Sequence, residues 1–490
     1  MSVWDTQPVS TRHPEECLPV FSRPADSVVA ETSPAACDSA PPFGNRTLLD
    51  YYRCPEEFAC CAPPAVPSRR QGFFRLGSDA VGYGSVSRGF VQTLPDTDLH
   101  DALSNSVIQQ GKVQLPFNPD EIVDNLRLER YPNGSAHAQA SLLPAGLAAG
   151  LYYALRPLLG VRVRRHLQRL RLSRWRSLSF PRWPVDTTVE QIHETLLRLC
   201  LRATGAGKIP FIWFWPDRSS GCAMLTHDVE TVQGRDFSLA LAEIDADFGI
   251  KSSFQLVPEK RYKLAGSFLD TIRAKGCEVN IHDLNHDGKL FSSEAIFLDR
   301  VRRINNHGRS WGAEGFRSGA LYRNPGWLHA LQFSYDMSVP NVAHLDPQRG
   351  GCCTVMPYFI GNILELPVTM TQDYSLFHIL GQYSTDLWKT QIEHVLARHG
   401  LLSFIIHPDY VIEKRAQSVY RALLADLAAL RLQRGIWFAL PREVNRWWRA
   451  RSRMRLVRRG GSWIIEGPLK ERATVAFATL QDDRLKYEPA

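Results

Sequence analysis

The chain has 490 residues, enough for about two to four domains. Hydrophobic residues make up 44% and charged residues 22%, which excludes a wholly disordered, collagenous or coiled-coil protein. The formal charge is +8, yet no acidic residue occurs from Tyr131 to Val185, where Arg156, Arg162, Arg164, Arg165, Arg169, Arg171, Arg174, Arg176 and Arg182 all fall. One local segment carries the imbalance and the remainder is near neutral, so no nucleic-acid partner is expected.

Residues 1–45 are rich in Pro, Ser, Ala and Thr and poor in large apolar side chains, which predicts a disordered tail. No apolar signal segment occurs in Met1–Pro19. The 10 cysteines include the adjacent pairs Cys60-Cys61 and Cys352-Cys353 and no CxxC, so disulfide-scaffold, zinc-ribbon and thioredoxin-like chemistries are not indicated. Cys54, Cys60 and Cys61 leave open a metal site with a distant ligand, with ordinary buried or surface thiols as the plainer reading. A cytoplasmic protein is expected. Residues 46–135 have globular composition and read as an N-terminal accessory domain. Within it Asp98–Gly111 predicts a helix, Asn118-Pro119-Asp120-Glu121 predicts a helix start, and the glycines from Gly82 to Gly89 predict turns.

Residues 136–183 form an apolar and arginine-rich linker or helical segment. The apolar run Leu142–Leu155 is shorter than the roughly 18–20 residues that span a bilayer. The tract Arg156–Arg182, interleaved with Leu167, Leu170, Leu172 and Trp175, suits peripheral contact with an anionic membrane at its inner face. A helix packed on the next domain with its arginines in solvent fits the same pattern.

From 184 to 450 short β-branched runs alternate with helical stretches. Strands are predicted at Cys222–Val229, Ser253–Val257, Glu278–His282, Gly315–Arg317, Phe333–Asp336, Ile363–Val368, Leu402–His407 and Ile436–Leu440. Helical patterns lie between them, for example Phe237–Phe248 and Glu294–Asn306. This alternation predicts an α/β fold, a distorted (β/α) barrel of about seven strands. Residues 451–490 read as a small β-rich C-terminal unit.

Polar residues gather at the strand ends, where such a barrel places its chemistry. In Leu225-Thr226-His227-Asp228-Val229-Glu230, strand alternation puts Asp228 and Glu230 on one side and Val229 on the other. Two adjacent carboxylates need a cation or a proton between them, although a helix cap would use the same residues. His282 and His286 are spaced i, i+4, so both reach one divalent ion if a helical turn follows the strand. Asp283 and Asp287 are open to orienting an imidazole or to plain turn roles. Arg317, Asp336 and His407 stand at three later strand ends. Each alone is readable as a surface ion pair, a turn residue or a core histidine.

In this order the motifs resemble the NodB-homology polysaccharide deacetylases, carbohydrate esterase family 4, over about residues 184–445. That family's first motif usually reads Thr-Phe-Asp-Asp, where this chain has Thr226-His227-Asp228-Val229. A branch acting on lipid-linked aminosugars carries Asp-Val-Asp, to which Asp228-Val229-Glu230 is similar. Asp283 replaces the usual Ser or Thr after the first histidine, Gly319 stands where a proline usually follows Arg317, and His407-Pro408 matches well. The resemblance implies a NodB-like barrel and a metal-dependent N-deacetylase of an amino sugar in a polysaccharide or lipid-linked glycan. It implies metal ligands Glu230, His282 and His286, holding zinc or else cobalt, nickel, iron or manganese. Asp228 would be the base, positioned by Arg317, and His407 the acid, oriented by Asp336. The departures at Val229, Glu230 and Gly319 keep a second reading, a catalytically silent glycan-binding or assembly protein. A third is a related amidohydrolase on a non-sugar amide.

Overall fold

The computed structural model describes residues 45–64, 70–95, 98–132, 172 and 175–490. The expected tail, up to residue 44, lies outside the described residues, as does the apolar and arginine-rich stretch from Leu142 to Arg171.

The N-terminal region holds helix α1 (Arg46–Tyr52), strand β1 (Cys61–Ala62), the hairpin β2 (Gln71–Leu76) and β3 (Ala80–Ser85), the hairpin β4 (Val107–Gln109) and β5 (Lys112–Gln114), and helix α2 (Pro119–Arg127). Helix α2 starts as its sequence predicts: the Asn118 side chain accepts the Asp120 N–H at 3.0 Å and Pro119 occupies the first turn. The helix expected over Asp98–Gly111 does not form. Gln110 and Gly111 have φ of 50° and 76°, and this left-handed pair reverses the chain between β4 and β5 with the twist that strands favour. Gly82 and Gly84 lie inside β3 rather than in turns. A Cβ on Gly84 would meet the Ile122 side chain of α2 at 3.3 Å, so glycine lets this helix sit close on the strand.

Helix α3 (Thr188–Thr204) and strand β6 (Ile209–Ile212) lead into the barrel. Its elements are β7 (Cys222–Val229), α4 (Val232–Asp247), β8 (Ser253–Leu256), α5 (Gly266–Ala274), β9 (Glu278–His282), α6 (Glu294–Trp311), β10 (Gly315–Arg317), β11 (Tyr335–Asp336), β12 (Tyr358–Ile360), β13 (Ile363–Glu365), α7 (Asp386–Leu396), β14 (Leu401–Ile406), α8 (Lys414–Arg434) and β15 (Trp437–Phe438). The sheet has nine strands in the order β12-β13-β11-β10-β9-β8-β7-β14, with β15 beside the first residues of β7. All neighbours are parallel except β12 and β13. Every strand expected from Cys222 to Leu440 is present. The addition is β12, an antiparallel flap whose Phe359 is exposed.

The distorted barrel anticipated from the alternation is therefore the observed fold, and its distortion has a specific seat. The segment after β13 reaches β14 with no continuous ladder. The Met370 N–H donates to the Ser403 carbonyl at 3.3 Å, and the Thr369 hydroxyl donates to the Leu401 carbonyl at 2.7 Å while accepting the Ser403 N–H at 3.0 Å. A threonine side chain thus stands in for missing strand pairing at the seam.

After helix α9 (Pro441–Arg451) come two hairpins, β16 (Arg455–Arg459) with β17 (Ser462–Glu466), and β18 (Val475–Gln481) with β19 (Arg484–Pro489). Strand β18 also pairs with β6, more than 260 residues earlier. One apolar core joins Tyr52 and Phe73 of the N-terminal region, Leu196 of α3, Phe211 of β6, Trp447 of α9 and Ala476 of β18. The fully buried Arg451 ties these parts together, donating to the carbonyls of Tyr51 (2.8 Å), Ile212 (2.7 Å) and Trp213 (3.0 Å). No helix among the described residues is long and apolar enough to cross a membrane.

Candidate functional site

The site lies at the carboxyl ends of β7, β9, β10 and β14. All eight residues of β7 are buried, and Val229 faces the apolar layer beneath α4 and α5. With Val229 turned outward, Asp228 and Glu230 both face the barrel mouth. His282 is the last residue of β9, but no helical turn follows it. Asp283 and His286 adopt left-handed φ of 55° and 51°, and this tight loop folds the second imidazole back towards the first. Their ring centroids are 4.8 Å apart. Arg261 holds the loop from outside through the carbonyls of Asn285 and His286.

Glu230, His282 and His286 offer ligand atoms that all lie within 4.8 Å of one another, the one such group of three among the described residues. Glu230 Oε1 is 2.9 Å from His286 Nε2 and 3.6 Å from His282 Nε2. The His282 Nδ1–H donates to the Arg317 carbonyl at 3.2 Å, which turns the Nε2 lone pair into the site. Both Nε2 atoms are buried and lack a hydrogen-bond partner. Two orphaned imidazole nitrogens aimed at one carboxylate oxygen fit a divalent cation of the zinc type, and the donor set does not choose among zinc, cobalt, nickel, iron and manganese.

On one flank, Arg317 is wholly buried and its Nη1 donates to Asp228 Oδ1 and to Thr226 Oγ1, each at 2.7 Å. Its Nε–H donates to the Met337 carbonyl at 2.9 Å, which fixes the plane of the guanidinium. Burial opposes ionisation of Asp228, but Arg317, with His282 and His407, overcomes it and holds the carboxyl below its usual range. Burial likewise opposes ionisation of Glu230, and His286, His282 and His407 hold it well below the ordinary value. His282 is shifted upward, since Asp228 and Glu230 outweigh the desolvation of its charged form.

On the other flank, His407 Nε2 lies 3.4 Å from Glu230 Oε1, and its Nδ1 is 2.6 Å from Asp373 Oδ1. The second Asp373 oxygen accepts the His407 backbone N–H at 2.8 Å. Burial disfavours the imidazolium, yet Asp373 and Glu230 raise the His407 pKa well above the ordinary histidine value. Tyr410 lies beside His407 with ring centroids 4.8 Å apart, and Tyr374 and His378 extend this half-buried aromatic wall.

Asp336, the residue expected to orient His407, sits elsewhere. Strand register places it opposite Glu365, and its carboxylate accepts the Ser338 hydroxyl at 2.6 Å and the Ser338 N–H at 3.3 Å. Asp373 occupies the partner position instead. The signal for it was an acid five residues past a predicted strand, in Thr371-Gln372-Asp373-Tyr374, with nothing local to connect it to His407. Asp287 makes a two-pronged pair with Arg300 at 2.7 and 2.8 Å, away from the imidazoles. Among the N-terminal thiols, Cys54 and Cys61 are buried and Cys61 Sγ lies 3.6 Å from Cys200 Sγ.

Comparison with protein-family models and with curated proteins found no match. Among solved structures the chain is similar to a protein described as a polysaccharide deacetylase from Mycobacterium smegmatis, at 16% identity and TM-score 0.39, covering 49% of this chain and 93% of that one. It is similar to PuuE allantoinase at 14% identity and TM-score 0.38, covering 48% and 92%. It is also similar to the chitin deacetylase from the fungal pathogen Colletotrichum lindemuthianum, at 19% identity and TM-score 0.30, covering 47% and 89%.

Proposed function

We propose that the protein is a metal-dependent hydrolase that removes N-acetyl groups from an amino sugar in a polysaccharide or a lipid-linked glycan. The observation that carries this reading is the convergence of two proton-handling pairs, Asp228–Arg317 and His407–Asp373, on either side of the Glu230–His282–His286 cluster. Such a layout suits an amide whose carbon is attacked from one side while its nitrogen leaves towards the other.

A cation held by Glu230, His282 and His286 supplies polarisation of the amide carbonyl and a more acidic water. Asp228, kept ionised by Arg317, accepts the proton of the attacking water as its oxygen bonds to the acetyl carbon. His407, its Nδ1 held by Asp373, presents Nε2 to the amide nitrogen and donates a proton as the carbon–nitrogen bond breaks. The products are acetate and the free amine. The aromatic wall of Tyr410, Tyr374 and His378 gives flat faces against which a sugar ring stacks.

Acetate release and metal content, measured together on the wild type and on Asp228→Asn, test the reading. Turnover with bound metal in the wild type, and lost turnover with metal retained in Asp228→Asn, is the expected result. A metal-loaded wild type that releases no acetate from any N-acetylated glycan or lipid-linked aminosugar would sink it.

A further inference from the structure

One loop outside the cluster bonds to both of the backbone segments that carry His286 and Glu230. From Asp283 to His286 the chain takes left-handed φ at two non-glycine residues of four, and such conformations persist only where their surroundings over-determine them. The carbonyls of Leu284, Asn285 and His286 all accept hydrogen bonds from the loop between β8 and α5. The Glu259 N–H donates to Leu284 at 3.0 Å, Arg261 Nε donates to Asn285 at 3.2 Å, and Arg261 Nη2 donates to His286. Arg261 Nη2 also stands 3.3 Å from His286 Nδ1, so the guanidinium lies against both the backbone and the ring of that residue.

Tyr262, the next residue, reaches the other segment. Its hydroxyl donates to the Val229 carbonyl at 2.6 Å and accepts the Val257 N–H at 2.8 Å. Strand β7 ends at Val229, so Tyr262 takes this carbonyl where the pairing of β7 with β8 stops. The same carbonyl belongs to the peptide that joins Val229 to Glu230, and the plane of that peptide sets the direction in which Glu230 leaves the strand. The charge of Glu230 also acts on the Tyr262 phenol.

Resting on the reading of Glu230, His282 and His286 as the cation site, we infer that Arg261 and Tyr262 are positioning residues for that site. From adjacent places in one loop, Arg261 fixes the backbone that carries His286 and Tyr262 fixes the backbone that carries Glu230. The 2.9 Å separation of Glu230 Oε1 and His286 Nε2 is thereby set by the fold rather than by the cation. Outer partners of this kind orient ligands and strengthen metal binding.

Zinc and cobalt affinities of the full chain, measured by competition with a chelating dye, test this, and the visible spectrum of the cobalt form reports ligand geometry. Tyr262→Phe and Arg261→Met are compared with Lys263→Met, which changes an exposed side chain of the same loop. Urea unfolding of the metal-free proteins shows which are folded. Affinity is expected to fall about 10–100-fold in Tyr262→Phe and in Arg261→Met, with an altered cobalt spectrum. Arg261→Lys, which keeps a donor without the guanidinium fork, should fall between Arg261→Met and the wild type. Lys263→Met should match the wild type. A purely structural role would shift the urea midpoint and leave affinity and spectrum in place. Wild-type affinity and spectrum in folded Tyr262→Phe or folded Arg261→Met would therefore overturn the inference, as would an equal loss in Lys263→Met. If Glu230→Ala abolishes binding at the same time, the reading of the cluster survives and only the role of the loop falls. A wild type that binds neither metal removes both.

Discussion

The barrel holds two pairs of neighbouring carboxyls, and they end in opposite states. At the end of β7, Asp228 and Glu230 are surrounded by Arg317, His282, His286 and His407, and both are held below their usual range. Across β11 and β13, Asp336 and Glu365 face each other with Ser338 and the Val339 N–H as hydrogen-bond donors. There burial dominates: Asp336 is raised, and Glu365, which also feels Asp336, is raised well above the ordinary glutamate value. Asp228, Asp336 and Glu365 are buried and Glu230, one residue past β7, is partly buried, yet the pairs shift in opposite directions, so burial alone does not decide their charge. Cationic neighbours make the first pair a candidate for metal and proton chemistry, and their scarcity leaves the second a shared-proton contact inside the barrel.

Removing the charge from each pair is the sharpest way to break this contrast. Asp228→Asn should cut kcat for acetate release by roughly 10²–10⁴-fold, the usual weight of a general base, with metal content unchanged. Asp336→Asn should leave kcat within about an order of magnitude of the wild type, since its carboxyl meets Ser338 and not His407. Equal losses in the two variants would place the second pair in the catalytic machinery and end the distinction.

Asp373→Asn comes next in size. Replacing the anion that holds His407 Nδ1 should lower kcat by roughly 10²-fold. It should also move the alkaline limb of the pH–rate profile. In the proposed reaction His407 acts in its protonated form, and its pKa is raised by Asp373 and Glu230. Without Asp373 the imidazolium loses its proton at lower pH, so activity should decline earlier as pH rises. An alkaline limb that stays in place would assign it to another group.

Arg451→Met probes the remaining region, where a buried cation is met by backbone carbonyls and by the ring faces of Phe214 and Trp448. Burial lowers this arginine to about 9, and its four backbone acceptors belong to α1, β6 and the residue after β6. The variant leaves those carbonyls unpaired and should lose about 2–4 kcal/mol of stability, read as the urea midpoint. Metal affinity should be unchanged in the folded protein, because the cation cluster lies at the other end of β7.

Much of this was legible in the residues, and the parts that were not share a cause. The strands β7, β9 and β10 are each bounded as their sequence suggests, because short apolar, β-branched runs between helical patterns depend on local chemistry. Asp228 and Glu230 on one side of Val229 follow from strand alternation alone. What depended on distant partners was hidden. His286 reaches His282 through left-handed Asp283 and His286 itself, a loop that no i, i+4 spacing displays. Asp373 finds His407 only because Thr369 and Met370 close the barrel seam against β14. Asp336 looked free to orient His407 until strand register set it against Glu365. The β-rich character of the C-terminal unit was visible, while the pairing of β18 with β6 was not, since nothing in either strand names the other.

The smallest expected effect separates burial from charge sharing, and Glu190 supplies the control. This glutamate of α3 is 1% exposed, has no neighbouring carboxylate among its hydrogen-bond partners, and accepts the Thr354 hydroxyl and the Val355 N–H. Its other oxygen has no partner, and burial pushes its pKa up to about 7. A group raised in the folded state contributes stability that is fully present below the unfolded value, near 4.3, and is lost as pH rises through the folded value. Glu190→Gln should therefore gain on the wild type between about pH 4.3 and 7, by at most roughly 3 kcal/mol in the urea-derived stability, and stay level above that window. Glu365→Gln should gain in the same direction from the same lower end, but its window should extend to higher pH, because Asp336 adds its charge to burial, the one raising influence on Glu190. If the two variants gained over the same pH range, Asp336 would contribute nothing to the protonation of Glu365, and the second carboxyl pair would be two separate buried acids.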